Sequence, residues 1–332
     1  RSYKNINLRN EIQKNQISGI DFMHIKGQES AKRALEIAAA GGHNISFLGP
    51  PGAGKTLLAK SLQTILPDLA PEEAIESTKI HSVAGKLSKD NPFCIVRPFR
   101  SPHHSTSRSG LLGGGTPITP GEISLAHNGV LFLDEFPEFS KNIIESLRQP
   151  IEDNIVTISR ARQSLTYPSD FMLVTAANPC PCGNYGTSKE CNCTPGMIIK
   201  YNEKVSGPIQ DRIDLFIKFR PVESHKLMDN SLAESSKEIK ARVQKARNIQ
   251  INKYKNEGIF CNAQLNTNQI GIYYKSTIEA EQYLQKAVDR LELSARAYFK
   301  LKKIALTISQ LDNSEMVEIK HIGEALQYRN TY

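Results

Sequence analysis

An α/β domain with a parallel sheet between helices, followed by a smaller all-α domain, is the fold this sequence predicts. Three observations carry the expectation. Gly49-Pro50-Pro51-Gly52-Ala53-Gly54-Lys55-Thr56 reads G-x-x-x-x-G-K-[ST] and lies between a short apolar run and a helical segment, which is the strand, loop and helix order of a phosphate-binding loop. Two further apolar runs end in Asp134-Glu135 and in Asn178, as buried parallel strands do when they present polar groups at their C-terminal tips. From Ile239 onward, apolar residues recur at helical spacing.

The 332 residues suit about two domains, and a hydrophobic content of 39% supplies a core. No apolar run approaches the length of a membrane span, so no membrane partner is expected. No secretory signal is read, and a first residue of Arg1 in place of Met points to a piece of a longer protein. Six cysteines, four of them clustered, do not form the pattern of a secreted disulfide scaffold; reduced thiols in the cytoplasm are expected. The net charge of +8 and the pI of about 9.1 permit a polyanionic partner without requiring one.

Taken in order, residues 1–20 are polar and basic, a linker or a helix whose partner is missing. Gln28 to Ala40 predicts a helix with Ala31, Leu35 and Ala38 on one face and Gly41-Gly42 as its stop, placed where it could pack over an adenine. Asn44 to Leu48 is the strand that feeds the loop. Gly49, Gly52 and Gly54 let the backbone bend and turn its N–H groups toward phosphate. Lys55 supplies a point charge to the β and γ phosphates, Thr56 a hydroxyl for Mg²⁺, and Leu57 follows in the helix. Pro67 and Pro71 punctuate, and Glu72 to Val83 is a second helix. Asn91 to Arg108 is basic, with Arg97, Arg100 and Arg108 around His103-His104, and is either a polyanion-binding or a solvated face; Gly110 to Gly121 is a long Gly- and Pro-rich loop.

The strand Val130 to Leu133 delivers Asp134 to hold Mg²⁺ through water and Glu135 to orient and polarise the attacking water. Ser140 to Gln149 is a helix with Ser140 as N-cap. Ile155–Ser159 and Ser164–Tyr167 alternate as a hairpin whose tip carries Arg160 and Arg162. Asn178, ending the third strand, either hydrogen-bonds the γ-phosphate or attacking water, or forms a turn before Pro179. Cys180, Cys182, Cys191 and Cys193 are two C-x-C pairs that could close a tetrahedral Zn²⁺ site, remain free thiols, or oxidise as a pair. Arg212, between Asp211 and Asp214 ahead of the strand Leu215 to Phe219, is a structural ion pair or a charge supplied to a neighbour's nucleotide. Pro221 opens a linker, which divides the chain into 21–222 and 223–332. The second part shows four apolar stripes: Ile239/Val243/Ala246/Ile249, Tyr283/Leu284/Ala287/Val288, Ala297 to Leu311, and Ile319/Ile322/Leu326.

Three longer stretches add a resemblance. Arg97-Pro98-Phe99-Arg100-Ser101-Pro102-His103-His104, Pro120 through Glu135, and Asn178 through the cysteines to Asp214 resemble the AAA+ superfamily, in the branch shared by magnesium chelatase ATPase subunits and ComM/YifB proteins. The cysteine segment with Ser206-Gly207-Pro208 is more similar to ComM/YifB. The resemblance implies an AAA+ P-loop domain with a C-terminal helical lid. It makes Lys55 and Thr56 Walker A, Asp134 and Glu135 Walker B, and Asn178 sensor 1. Arg212 resembles the arginine finger and Arg296 sensor 2. The loop before Walker B resembles a helix-2 insert, and the Arg160/Arg162 hairpin a pre-sensor-1 insert that contacts DNA. Implied with them are ATP and Mg²⁺, a homo-oligomeric ring that is a hexamer, single-stranded or branched DNA and recombination proteins as partners, and branch migration during recombination and natural transformation. The alternative is a chelatase-type ATPase that remodels a partner inserting Mg²⁺ into a porphyrin. A Lon-protease-like domain ahead of the ATPase, carried by ComM-type members, corresponds to no stretch of this sequence.

Overall fold

A computed structural model describes residues 19–88, 91–160, 163–221 and 233–330. Its strands in chain order are β1 (Ile45–Leu48), β2 (Phe99–Arg100), β3 (Gly113–Gly114), β4 (Thr119–Pro120), β5 (Val130–Leu133), β6 (Ile155–Arg160), β7 (Gln163–Pro168), β8 (Met172–Ala177) and β9 (Leu215–Lys218). Five of them form one parallel sheet in the order β2-β5-β8-β1-β9. Crossovers between parallel strands usually run through helices, and helices Lys55–Ser61 and Pro71–Val83 lie between β1 and β2, while helix Glu29–Gly41 precedes β1. The α/β architecture with a helical C-terminal region is therefore the one observed. Because β1 pairs Leu48 with Ala177 of β8, while β8 pairs Thr175 with Leu133 of β5, all three strands end at the same edge. That register brings the phosphate loop, Asp134-Glu135 and Asn178 together.

The C-terminal helices are Ser236–Lys253, Thr267–Tyr273, Ile278–Leu291, Ala295–Leu311 and Ile319–Gln327. Thr267–Tyr273 has no counterpart among the four stripes. Ser236–Lys253 and Ala295–Leu311 pack on helix Glu29–Gly41, so Val243, Ile304 and Ile308 share one core with Leu35, Phe47 and Phe132. Arg247, 4% exposed, donates to the carbonyls of Ala39 and Ala40. A cation thereby meets the negative end of helix Glu29–Gly41 and satisfies its last acceptors.

The basic stretch resolves into structure. β2 pairs with β5 as the sheet edge. Arg97 donates to both Glu73 oxygens, at 2.9 and 2.7 Å, and to the carbonyls of Pro67, Asp68 and Asn128. Arg100 makes a two-point contact with Glu122. Two of the three arginines are therefore committed within the fold, and Arg108, exposed at the start of helix Arg108–Leu112, is the one facing solvent. Burial disfavours a charged Glu73, yet Arg97 outweighs it and holds the carboxyl below its ordinary range. A depressed folded pKa gives stability that is complete above the ordinary carboxylate range and lost as pH falls through the folded value. Arg97→Ala strands a buried carboxylate, and a loss of about 3–5 kcal/mol is expected in urea unfolding at neutral pH; an unchanged midpoint would show that the pair contributes nothing.

Two local expectations change. The helix over Ser140–Gln149 is broken into Lys141–Ser146 and Arg148–Asp153. Pro150 lacks an N–H and its ring crowds the carbonyl four residues earlier, which a continuous helix does not tolerate. Ser140 is the N-cap by backbone position, with no side-chain cap hydrogen bond. The loop Gly110–Gly121 contains the end of helix Arg108–Leu112 and the β3–β4 pair. The β6–β7 hairpin is as expected, but Arg162 and the Arg160 side chain lie outside the described residues. Residues 1–18 and the proposed linker over 222–232 lie outside them as well.

Candidate nucleotide site

The three loop glycines serve different purposes. Gly52 and Gly54 have φ of +76° and +88°, a region that L side chains rarely enter. Gly49 is a packing requirement: a Cβ there would lie 2.6 Å from Phe219 Cβ. The bend brings Lys55 back under the loop, where Nζ donates to Gly49 O at 2.6 Å, Pro50 O at 2.8 Å and Asn178 Oδ1 at 3.0 Å. Burial pushes the Lys55 ammonium down, against the pull of Asp134 and Glu135.

Thr56 Oγ1 donates to Asp134 Oδ2 at 2.7 Å, and Asp134 Oδ1 accepts the Glu135 N–H at 2.9 Å. A hydroxyl from the first turn of helix Lys55–Ser61 and a carboxylate just past the end of β5 are a hard-oxygen pair suited to Mg²⁺. Glu135 has φ of +51°, a conformation uncommon for a non-glycine residue. Its exposed side chain lies 3.3 Å from His104 Nδ1. Asn178 follows β8 directly and lies beside Lys55. A cleft of about 440 Å³ opens at this strand edge, lined by Gly49, Pro50, Asn178, Phe136, Tyr185 and Phe219. Of the proposed nucleotide contacts, Pro51, Gly52 and Leu57 are exposed and Ala53 is buried; Gln28 donates to Ala53 O and to Arg220 O, tying the loop to the residues after β9.

Arg212 and Arg296 form a second group. Arg212 pairs with Glu152, not with the adjacent Asp211 or Asp214, and also donates to Pro208 O. Arg296 Nη1 lies 3.3 Å from Asp211 Oδ2. Burial, then the nearby Arg296 and Arg148, push the Arg212 guanidinium down. None of the hydrogen bonds or ion pairs of Arg212 or Arg296 among the described residues joins them to Lys55, Asp134, Glu135 or Asn178.

The family model described as magnesium chelatase, subunit ChlI, matches residues 21–227, and that described as magnesium chelatase, subunit ChlI C-terminal, matches 233–329. The chain belongs to the magnesium chelatase ChlI family. Within it, the chain is 43% identical over 311 residues to YifB of Escherichia coli K12, covering 93% of this chain and 60% of that protein. It is also 43% identical over 312 residues to the competence protein ComM of Haemophilus influenzae, with the same two coverages. A more distant similarity, 22% over 335 residues, is to the maternal DNA replication licensing factor mcm6 of Xenopus tropicalis, covering 92% of this chain and 36% of that protein. The chain spans about 60% of the length of its YifB and ComM relatives.

For a magnesium chelatase-family chain of the AAA+ class, the sequence pattern located the loop, the two acids and Asn178. It missed the contacts of His104 and Gln28. His104 stood out in the sequence only as one of a histidine pair; nothing local placed it against Glu135. No helix among the described residues is long and apolar enough to cross a membrane.

The four cysteines also converge. Cys180 Sγ lies 3.4 Å from Cys182 Sγ and 3.8 Å from Cys191 Sγ, with 3.6 Å between Cys182 and Cys191. All four sulfurs, Cys193 included, lie within 4.8 Å of one another. The Asn184 backbone N–H holds the Cys182 thiol down to about 6.

Proposed function

We propose that this chain binds Mg-ATP at Lys55, Thr56 and Asp134 and hydrolyses it with Glu135 and Asn178 as a subunit of a ring that moves DNA. The observation that carries the reading is the convergence of the Lys55, Asn178, Thr56 and Asp134 side chains, with the Glu135 backbone N–H beside them, at one edge of the sheet. Lys55 and the loop N–H groups would hold the phosphates, Thr56 and Asp134 the Mg²⁺, and Glu135 the attacking water. Glu135 is free to turn toward that water if it gives up its contact with His104. Residues 21–222 would form the nucleotide-binding unit and 223–332 the lid.

Among the described residues no hydrogen bond or ion pair joins Arg212 or Arg296 to this group, which supports a role for them at a neighbour's nucleotide. A γ-phosphate presented across the subunit seam would replace the Glu152 carboxylate as the partner of Arg212. The hexamer, the cytoplasmic location and branch migration in recombination belong to the same reading. The competence named for the Haemophilus relative and the replication licensing named for the Xenopus one favour DNA as the polyanion. Cofactors are ATP and Mg²⁺, with Zn²⁺ at the four thiols as a separate structural ion.

Arg160 and Arg162, at the hairpin tip, would contact phosphates. Arg160→Ala with Arg162→Ala should spare basal ATP hydrolysis, abolish its stimulation by a four-way DNA junction, and make the salt slope of DNA binding shallower by roughly 1 per arginine. Full stimulation in the double variant would remove the hairpin from the DNA path. The second reading, an ATPase that remodels a porphyrin-metallating partner, is favoured by the family description itself. Hydrolysis measured with and without the junction separates the two: a rate indifferent to DNA supports the second.

A further inference from the structure

The loop between β8 and helix Pro195–Asn202 poses a physical problem. Of its residues 181–194, Gly183 alone is buried, so the loop has almost no apolar surface with which to hold a shape. Yet it brings four sulfurs to one point, with separations of 3.4, 3.6 and 3.8 Å between three of them. A tetrahedral ion with Zn–S bonds of about 2.3 Å sets sulfurs roughly 3.8 Å apart. A backbone N–H is already aimed at one of the sulfurs, that of Tyr185 at Cys180 (3.3 Å), as the outer shell of a thiolate site requires.

The same loop is pressed against the nucleotide site. Gly183 has φ of +81°, and a Cβ built on it would lie 2.5 Å from Pro51 Cδ, inside the phosphate loop. Tyr185, Gly186 and Thr187 line the cleft together with Gly49, Pro50 and Asn178. Cys180 is two residues from Asn178, whose amide oxygen accepts from Lys55.

We propose that Cys180, Cys182, Cys191 and Cys193 bind one Zn²⁺, and that the loop it closes is a buttress which holds the phosphate loop and Asn178 in their nucleotide-binding arrangement. Metal occupancy and ATP affinity are then reciprocally linked, because whatever the ion does for the loop geometry the nucleotide must do in return. The proposal rests on the reading of Lys55 as a phosphate-binding residue.

The test uses the full chain as purified. Elemental analysis should find about one zinc per chain. Replacement by Co²⁺ should give the intense near-ultraviolet thiolate-to-cobalt band and the visible band of a tetrahedral site. A fluorescent ATP analogue with Mg²⁺ is then titrated into the wild type, a chelator-stripped sample, and the variants Cys182→Ser/Cys193→Ser, Gly183→Ala and Lys55→Ala. Stripping or loss of the two cysteines should weaken the analogue about 5–150-fold, the ordinary range of site-to-site coupling, and restoring zinc should reverse the effect in the stripped wild type. Gly183→Ala should keep its zinc and still bind the analogue more weakly, which keeps the proposal testable if the double cysteine variant fails to fold. Lys55→Ala should keep its zinc and lose the analogue. Wild-type protein that carries no zinc and takes up none, or that carries iron instead, overturns the metal site. A zinc-loaded protein whose affinity is unchanged by stripping and by Gly183→Ala overturns the buttress. Zinc-loaded wild type that binds no analogue overturns the nucleotide reading and, with it, this coupling, while leaving the zinc ion in place.

Discussion

Arg212→Ala is expected to bind Mg-ATP as the wild type does and to hydrolyse it roughly 10³–10⁵-fold more slowly, a barrier increase of about 4–7 kcal/mol. The size of the effect follows from what the guanidinium would do at the proposed seam. As the γ-phosphoryl group transfers, negative charge grows on its oxygens, and a cation fixed beside it in a water-poor site stabilises that charge without reorganisation. In the proposed site ground-state binding would be served by other groups, the loop N–H groups and Lys55, so affinity should be spared. Arg212 is also prepared for the role by its surroundings. It is partly buried, crowded by the positive charges of Arg148 and Arg296, and paired through its two Nη atoms with Glu152 and Pro208 O, while its buried Nε has no hydrogen-bond partner among the described residues. Exchanging the Glu152 carboxylate for a γ-phosphate would keep an anionic partner beside the guanidinium. Single-turnover hydrolysis beside an equilibrium binding curve checks the split, and wild-type turnover would return Arg212 to the role of a plain structural ion pair.

Lys55→Ala is expected to lose nucleotide binding. Truncating one partner of a desolvated charge pair costs about 2–5 kcal/mol, or roughly 30-fold to several-thousand-fold in Kd. Lys55 is 7% exposed and already points into the concave side of the loop, where its three hydrogen bonds go to two loop carbonyls and Asn178. Burial pushes its pKa down, and a triphosphate would offset that cost by supplying the opposite charge. Titration calorimetry with Mg-ATP reads the loss; wild-type affinity would mean that the loop binds no phosphate.

What could be read from the sequence was what is local. Gly52, Gly54 and Lys55 fall within one turn of chain, and the apolar runs before Asp134 and Asn178 announce buried strands by composition alone. What escaped was set by pairing between distant segments. β2 has only Phe99 and Arg100, inside a stretch whose charge suggested a surface. It becomes a strand because β5 lies beside it, and Arg97 is buried because Glu73 waits across the fold. The cysteines were visible as two pairs, but their meeting with each other and the approach of Gly183 to Pro51 depend on the path of an irregular loop. Pro150 did mark the helix break, although the surrounding helical periodicity concealed it. His104 reached Glu135 through a turn that no spacing rule describes.

Mixing two inactive variants tests the shared site most directly. Lys55→Ala subunits cannot hold the nucleotide but retain Arg212; Arg212→Ala subunits hold it but lack the arginine. If Arg212 of one copy completes the site of the next, combining the two pools must restore ATP hydrolysis well above the sum of the separate rates, in proportion to the fraction of seams that pair an intact Lys55 with an intact Arg212. If Arg212 serves its own chain or no nucleotide at all, the mixture will hydrolyse ATP no faster than that sum at any ratio.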